Sequence, residues 1–142
     1  MKFRKSAHAI YNTEYHLVLI PRYRRKVFVK GVKEYAEKLF SHMPELNPDI
    51  EVIKVNVQVD HIHMVIVIPP KYAVARVLQY IKSQSAKALK VKFPFLRKAY
   101  FSGEGIWSRG YCASGIGLDE EEILAYVEHQ EKVDKGQLQL PF

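Results

Sequence analysis

Two histidines separated by one residue, His61-Ile62-His63, are the side chains in this 142-residue chain best spaced to act on one atom. On a β-strand, residues i and i+2 project from the same face, so both imidazoles would look one way while Ile62 turns toward a core. Their Cβ atoms would stand roughly 6–7 Å apart, close enough for both rings to reach one metal ion. The plainer reading is a pair of exposed histidines at the wet mouth of a hairpin. Two features favour a site. The pair lies next to a turn, and Val65 and Val67 continue the same face without polarity, so the polar character is confined to one end.

Two imidazoles leave most of a coordination sphere vacant. The H-x-H-x-D-H signature of two-metal hydrolases is absent, because Met64, Val65 and Ile66 follow the pair. Further donors must come from elsewhere, and Tyr126-Val-Glu-His-Gln130 offers several. Tyr126 and Gln130 stand four residues apart, which on a helix puts them on nearly one face, about 6 Å along the axis. His129 and Glu131 flank Gln130 as alternative donors. On spacing alone a packing tyrosine and a solvated glutamine are the simpler assignments. A chemical role for the phenol would have a definite logic. With an ordinary pKa of about 10 it is a weak nucleophile, and a divalent cation could favour the phenolate while polarising a phosphate. Attack would leave a covalent phosphotyrosine that keeps the broken phosphodiester's energy for rejoining, which attack by water would not.

The surrounding pattern supplies elements to hold these groups. Tyr15–Ile20 reads as a buried strand stopped by Pro21. Val32, Tyr35, Ala36, Leu39 and Phe40 fall at helical spacing before Pro44. Ile53, Val55, Val57 and Val59 alternate with Lys54, Asn56 and Gln58, a strand with one wet face. Beyond a turn near Asp60, Ile62, Met64, Ile66 and Ile68 share the apolar face of the next strand, which stops at Pro69-Pro70. A second helix carries Val74, Val77, Leu78 and Ile81 inward, with Lys82, Lys87 and Lys90 away from most of its core side. Gly105–Ser114 reads as a last strand. The final helix starts at Asp119, whose side chain and that of Glu122 form a capping-box pattern. The order β-α-β-β-α-β plus a terminal helix predicts an α+β, ferredoxin-like antiparallel sheet with two helices on one face. That fold hosts many functions, so function has to be read from the site.

Composition sets the outer limits. The length fits one domain over residues 1–142, and 48% hydrophobic residues suffice for a real core. No apolar run approaches a membrane span, no signal-peptide pattern follows the basic start, and Cys112 is the single cysteine, so a cytoplasmic protein is expected. Twenty-two Lys and Arg against fifteen Asp and Glu give a formal charge of +7, which suits an anionic partner. Basic residues cluster at Arg22-Tyr23-Arg24-Arg25-Lys26 and across Lys82–Lys92, while acids gather at Asp119–Glu122.

Taken in order, these segments resemble the TnpA-type single-tyrosine HUH transposases of small bacterial and archaeal insertion sequences. The matching stretches are His8-Ala-Ile-Tyr-Asn-Thr-Glu-Tyr-His-Leu-Val, Arg22-Tyr-Arg-Arg-Lys-Val-Phe, Asp60-His-Ile-His-Met-Val-Ile-Val-Ile-Pro-Pro, Lys82-Ser-Gln-Ser-Ala, Trp107-Ser-Arg-Gly-Tyr111 and Tyr126-Val-Glu-His-Gln130. The histidine motif alone is moderately specific; the ordered set, across nearly the whole chain, is highly specific. The resemblance implies that Tyr126 is the nucleophile forming a 5′-phosphotyrosine and freeing a 3′-OH. It also implies that His61, His63 and Gln130 bind Mg²⁺ or Mn²⁺. It implies a homodimer that recognises hairpins in single-stranded DNA near the ends of the element, with a tyrosine helix that can complete the partner's site. Arg22, Arg24, Arg25, Lys26, Lys82 and Lys87 then become candidate phosphate contacts, with Tyr23 stacking on unpaired bases. Trp107 and Tyr111 fit base stacking no better than a core or subunit-interface role.

Two rival readings differ in kind. A metal-dependent nuclease or phosphoesterase would use water as nucleophile and leave the tyrosine structural. A non-catalytic module of RRM-like shape would read RNA through aromatics on its sheet, yet the central strands present Lys54, Asn56, Gln58 and histidines instead.

Overall fold

The computed structural model describes residues 3–6, 8–29, 31–43, 49–100 and 105–137. A short ladder of β1 (Arg4–Lys5) and β2 (Ile10–Tyr11) precedes the main sheet strand β3 (Glu14–Leu19) and a 3-10 turn at Arg22–Arg24. Helix α1 (Val32–His42), the strands β4 (Glu51–Val57) and β5 (Ile62–Val67), and helix α2 (Val74–Lys92) follow. Helix α3 (Phe95–Ala99), strand β6 (Cys112–Ser114) and helix α4 (Glu120–Asp134) complete the order. The main sheet runs β4-β5-β3-β6 with all pairs antiparallel, the ferredoxin-like arrangement expected from the sequence.

Pairing between β3 and β5 sets what each sheet face carries. Leu17 lies opposite Met64 and Leu19 opposite Ile62, and all four are essentially fully buried. With Ile66 and Ile68 they form one core with Val32, Ala36 and Phe40 of α1 and Val77, Leu78, Ile81 and Leu89 of α2. Each of these side chains larger than alanine stabilises the fold by about 1.5–3 kcal/mol on burial. A surface ion pair such as Arg4–Glu51, at 2.7 Å, contributes only about 0–1 kcal/mol, so the core decides the fold. The other face carries Val18 and Ile20, which are covered by Ile123 and Val127 of α4. The first two helices therefore share one face, and the terminal helix closes the opposite one.

Two local expectations are corrected by the structure. Ile53 does not share an inward face with Val55 and Val57; it is 47% exposed. A register shift between Val52 and Lys54 inserts an extra residue, so Val52, Val55 and Val57 are the ones opposite Ile66, Met64 and Ile62. The last strand is confined to Cys112–Ser114 and does not extend over Gly105–Ser114. Upstream of it, Trp107 turns into the core between Phe28 and Phe40, and its indole nitrogen donates to Ser85 Oγ at 3.0 Å. Trp107 makes only an isolated antiparallel bridge there, with Pro21. Trp107 thus has a core role, and Tyr111 is exposed.

The cap of α4 forms as its sequence indicates. Glu122 N donates to Asp119 Oδ1 at 2.8 Å, and Asp119 N donates to the Glu122 carboxylate at 3.2 Å. Replacing Asp119 with Ala is expected to cost about 1 kcal/mol, read as a lower urea midpoint with an unchanged slope. An unaltered midpoint would show that the cap contributes nothing to the stability of α4.

Candidate active site

The histidine pair sits where β5 begins, on the face covered by α4. His63 pairs in register with Val18, one of the residues under that helix. His61 and His63 line a cleft of about 460 Å³ together with Asn56, Asp60, Glu120, Ile123 and Leu124. One wall is the sheet end and the other is the start of α4.

Each imidazole has a specific partner. Asp60 is nearly buried, and its Oδ1 lies 2.9 Å from His61 Nδ1. A carboxylate can only accept, so His61 Nδ1–H is the donor in this contact. Burial pushes the Asp60 carboxyl up, but hydrogen bonds from His61 and Arg24 outweigh it and hold the group below its ordinary value. His63 Nε2 lies 3.1 Å from His16 Nδ1, with the two rings stacked 5.3 Å apart. Burial, aided by the neighbouring His16, Lys54 and His61, lowers the His63 pKa and favours its neutral form. Neutral imidazole is the metal-binding form, so this shift favours ligation at His63. Among the described residues, no group of three or more His, Cys, Asp or Glu side chains is placed to hold a metal.

Tyr126 and Gln130 stand one turn apart on the same helix, α4. Tyr126 packs with Cys112 and Leu118 against Val18, Ile20, Ile123 and Val127. Burial, with smaller contributions from Cys112 and Asp134, raises the phenol's pKa further above its usual value, so the hydroxyl is protonated at neutral pH. Gln130 is 1% exposed, and its Nε2 donates to Asp134 Oδ1 at 3.3 Å. A Cβ at Gly110 would come within 2.6 Å of Gln130 Oε1, so a side chain there would displace the amide from this position. His129 is exposed, and Glu131 turns toward Arg24. The structure thus brings His61 and His63 together at the cleft, and sets Tyr126 beside Cys112 and Gln130 beside Gly110 on α4.

The basic segments are more occupied than their sequence implies. Arg24 Nε donates to Asp60 Oδ2 at 2.8 Å, and another of its nitrogens donates to Glu131 at 3.2 Å. Arg25 donates to the Ala99 carbonyl and lies over the rings of Tyr23 and Tyr100. Arg22 also lies over the Tyr23 ring, 5.6 Å from its centroid. Tyr23 and Arg24 both have positive φ, 63° and 54°, a conformation costly for non-glycine residues. Asp134 helps hold that turn by accepting from Tyr23 N at 3.0 Å and from the Ser108 hydroxyl. Lys82 is turned inward, contrary to the outward placement read from the sequence. Its ammonium donates to the carbonyls of Ser108 and Gly110 at 2.9 and 2.7 Å. Lys26 and Lys87 are exposed.

Sequence reasoning missed His16 and Asp60. The period of two in β3 puts His16 on the face of Val18 and Ile20, but only the register with β5 brings it to His63. Asp60 was legible as a turn residue, and its adjacency to His61 was the one available signal.

A sheet-borne histidine pair facing a helix that carries Tyr126 and Gln130 defines a class of protein, and comparison with known proteins identifies it. Residues 9–130 match the family model described as "Transposase IS200 like". The chain belongs to this IS200-like transposase family. It is 32% identical over 138 residues to the transposase for insertion sequence element IS200 of Salmonella typhimurium, covering 96% of this chain and 90% of that protein. It is 27% identical over 131 residues to the ISDra2 transposase TnpA of Deinococcus radiodurans, covering 92% of each. Its fold matches a transposase crystal structure from Deinococcus radiodurans R1 with a TM-score of 0.78 at 25% identity, covering 89% of this chain and 97% of that one. Among the described residues, no helix is long and apolar enough to cross a membrane.

Burial drives the Lys82 pKa down to about 8, with Asp134 opposing the shift. From about pH 8 to the ordinary lysine value of 10.5, the unfolded chain holds more proton at this position than the folded one. Stability should therefore rise with pH across that window, and the cost of burying the charge is fully present below it. Relative to Lys82→Met, the wild type should gain up to roughly 3 kcal/mol in urea unfolding between about pH 7 and pH 10.5. Parallel pH curves would place the ammonium in solvent.

Proposed function

We propose that this transposase cleaves and rejoins single-stranded DNA at the ends of its element through a 5′-phosphotyrosine on Tyr126. The observation that carries this reading is that α4, which bears Tyr126 and Gln130, packs on the sheet face that presents the imidazole pair. In this reading Tyr126 Oη attacks the scissile phosphorus. The Oη–P bond forms as the P–O3′ bond breaks, the phenolic proton is released, and the leaving 3′ oxygen takes up a proton. A 3′-OH strand is freed, and its return attack reverses the step without loss of phosphodiester energy.

His61 and His63 would hold a Mg²⁺ or Mn²⁺ ion, with Gln130 contributing a neutral oxygen. When bound, such an ion supplies charge stabilisation at the phosphate and favours the phenolate. The residues themselves impose a condition on this scheme. A half-buried, protonated phenol and a buried amide held by Asp134 must leave those positions to act, or must serve an imidazole pair from another copy. A homodimer in which α4 of one subunit serves its partner's cleft satisfies that condition. The DNA partner in this reading is a single strand with a hairpin. Its phosphates would meet exposed cations such as Lys26 and Lys87, because Arg24, Arg25 and Lys82 have partners within the chain.

Tyr126→Phe is expected to abolish any covalent protein–DNA adduct on a labelled hairpin-bearing strand while leaving binding within a few-fold of wild type. Retained cleavage in that variant would favour water as the nucleophile. EDTA should stop cleavage by the wild type, and cleavage unaffected by chelation would remove the metal from the scheme. Binding of the same strand should weaken by roughly tenfold or more between about 50 and 200 mM salt, as released counterions require. A flat salt response would contradict a phosphate-binding surface.

A further inference from the structure

The ion-pair chain beneath the histidine cleft joins three parts of the fold. Asp60, in the turn before β5, gives one carboxylate oxygen to His61 Nδ1 at 2.9 Å and the other to Arg24 Nε at 2.8 Å. Arg24, in the strained turn after β3, reaches on to Glu131 of α4 at 3.2 Å. Glu131 is fixed in turn by Lys135 at 2.8 Å. The Asp60 side chain is 11% exposed and that of His61 12%, so water competes little for the contact. Both Asp60 oxygens are thus engaged, and rotation of the carboxylate would break two charge-assisted bonds at once.

We propose that Asp60 is a positioning residue for His61, holding the ring in the tautomer whose Nε2 lone pair is free for the cleft, and that Arg24 and Glu131 brace it from helix α4. A histidine with one donor nitrogen fixed by a carboxylate has its orientation and basicity set for whatever the other nitrogen meets. The sequence neighbours Asp60 and His61 could not form this geometry unaided, since a turn aspartate ordinarily has several rotamers. Arg24 removes that freedom, which gives a structural reason for two successive non-glycine residues at positive φ there. The tautomer claim stands on geometry alone; its consequence for metal binding rests on the proposed function.

The test uses the full chain labelled with nitrogen-15, without added metal, in long-range proton–nitrogen correlation spectra of the neutral rings. In the wild type, His61 should show a protonated Nδ1 and an unprotonated Nε2. Asp60→Ala should move His61, and no other histidine, toward the Nε2-protonated form. Arg24→Gln, which leaves Asp60 in place, should give an intermediate mixture and keeps the test valid if Asp60→Ala folds poorly. An Nε2-protonated His61 in the wild type, or a pattern unmoved by both substitutions, would overturn the inference. A second arm follows Mn²⁺ binding by electron paramagnetic resonance, where Asp60→Asn should weaken affinity about 10–100-fold. Equal affinity in variant and wild type would overturn the consequence for metal binding, with the spectra deciding the tautomer. Absence of Mn²⁺ binding by the wild type would instead refute the metal-dependent reading, and the tautomer spectra would still decide the role of Asp60.

Discussion

The antiparallel register of β3 against β5 governs everything this molecule can do, because it assigns each side chain to one of two faces with opposite tasks. Leu17, Leu19, Ile62, Met64 and Ile66 fall on the face beneath α1 and α2. His16, Val18 and His63 fall on the face beneath α4. A slip of one residue would exchange the faces, placing imidazoles in an apolar core and isoleucines in an open cleft. The several kilocalories per mole lost with those aliphatic side chains make such a slip prohibitive. The histidine pair is therefore held by the core on the far side of the sheet more than by its own contacts.

The same logic explains why much of the fold was legible in the residue order. Period-two alternation in β5 and 3.6-residue spacing in α1 and α2 are local signals, and the Asp119–Glu122 cap is wholly contained in one turn. What escaped detection depended on pairing between distant segments. The bulge between Val52 and Lys54 is invisible in the sequence because the alternation of β4 looks unbroken. Lys82 looks like a solvated helix lysine until the 108–110 segment folds over it and offers two carbonyls. The site divides in the same way. His61 and His63 were readable as a pair from strand geometry alone, and Tyr126 with Gln130 from helix geometry alone. Their relative placement is set by the packing of Ile123 and Val127 against the sheet.

Two acidic residues connect these parts. Asp134 accepts from the Tyr23 backbone, from Ser108 and from Gln130, so it ties the end of α4 to the turn after β3 and to the 108–110 segment. Asp60 ties the same turn to His61 through Arg24. A basic run that resembles a phosphate-binding patch in sequence is thus largely intramolecular scaffolding, with Arg24 and Arg25 directed at carboxylates, carbonyls and rings. Net charge drew attention to the run, but the partners of each guanidinium show what it does.

The chain is a transposase of the IS200-like family, and the account of its chemistry turns on one atom, the phenolic oxygen of Tyr126. Peptide mass spectrometry on the covalent product formed with a hairpin-bearing single strand tests it most directly. The account predicts a nucleotide attached through its 5′-phosphate to the peptide containing Tyr126. Attachment at any other tyrosine, or strand scission that leaves every peptide unmodified, would contradict it.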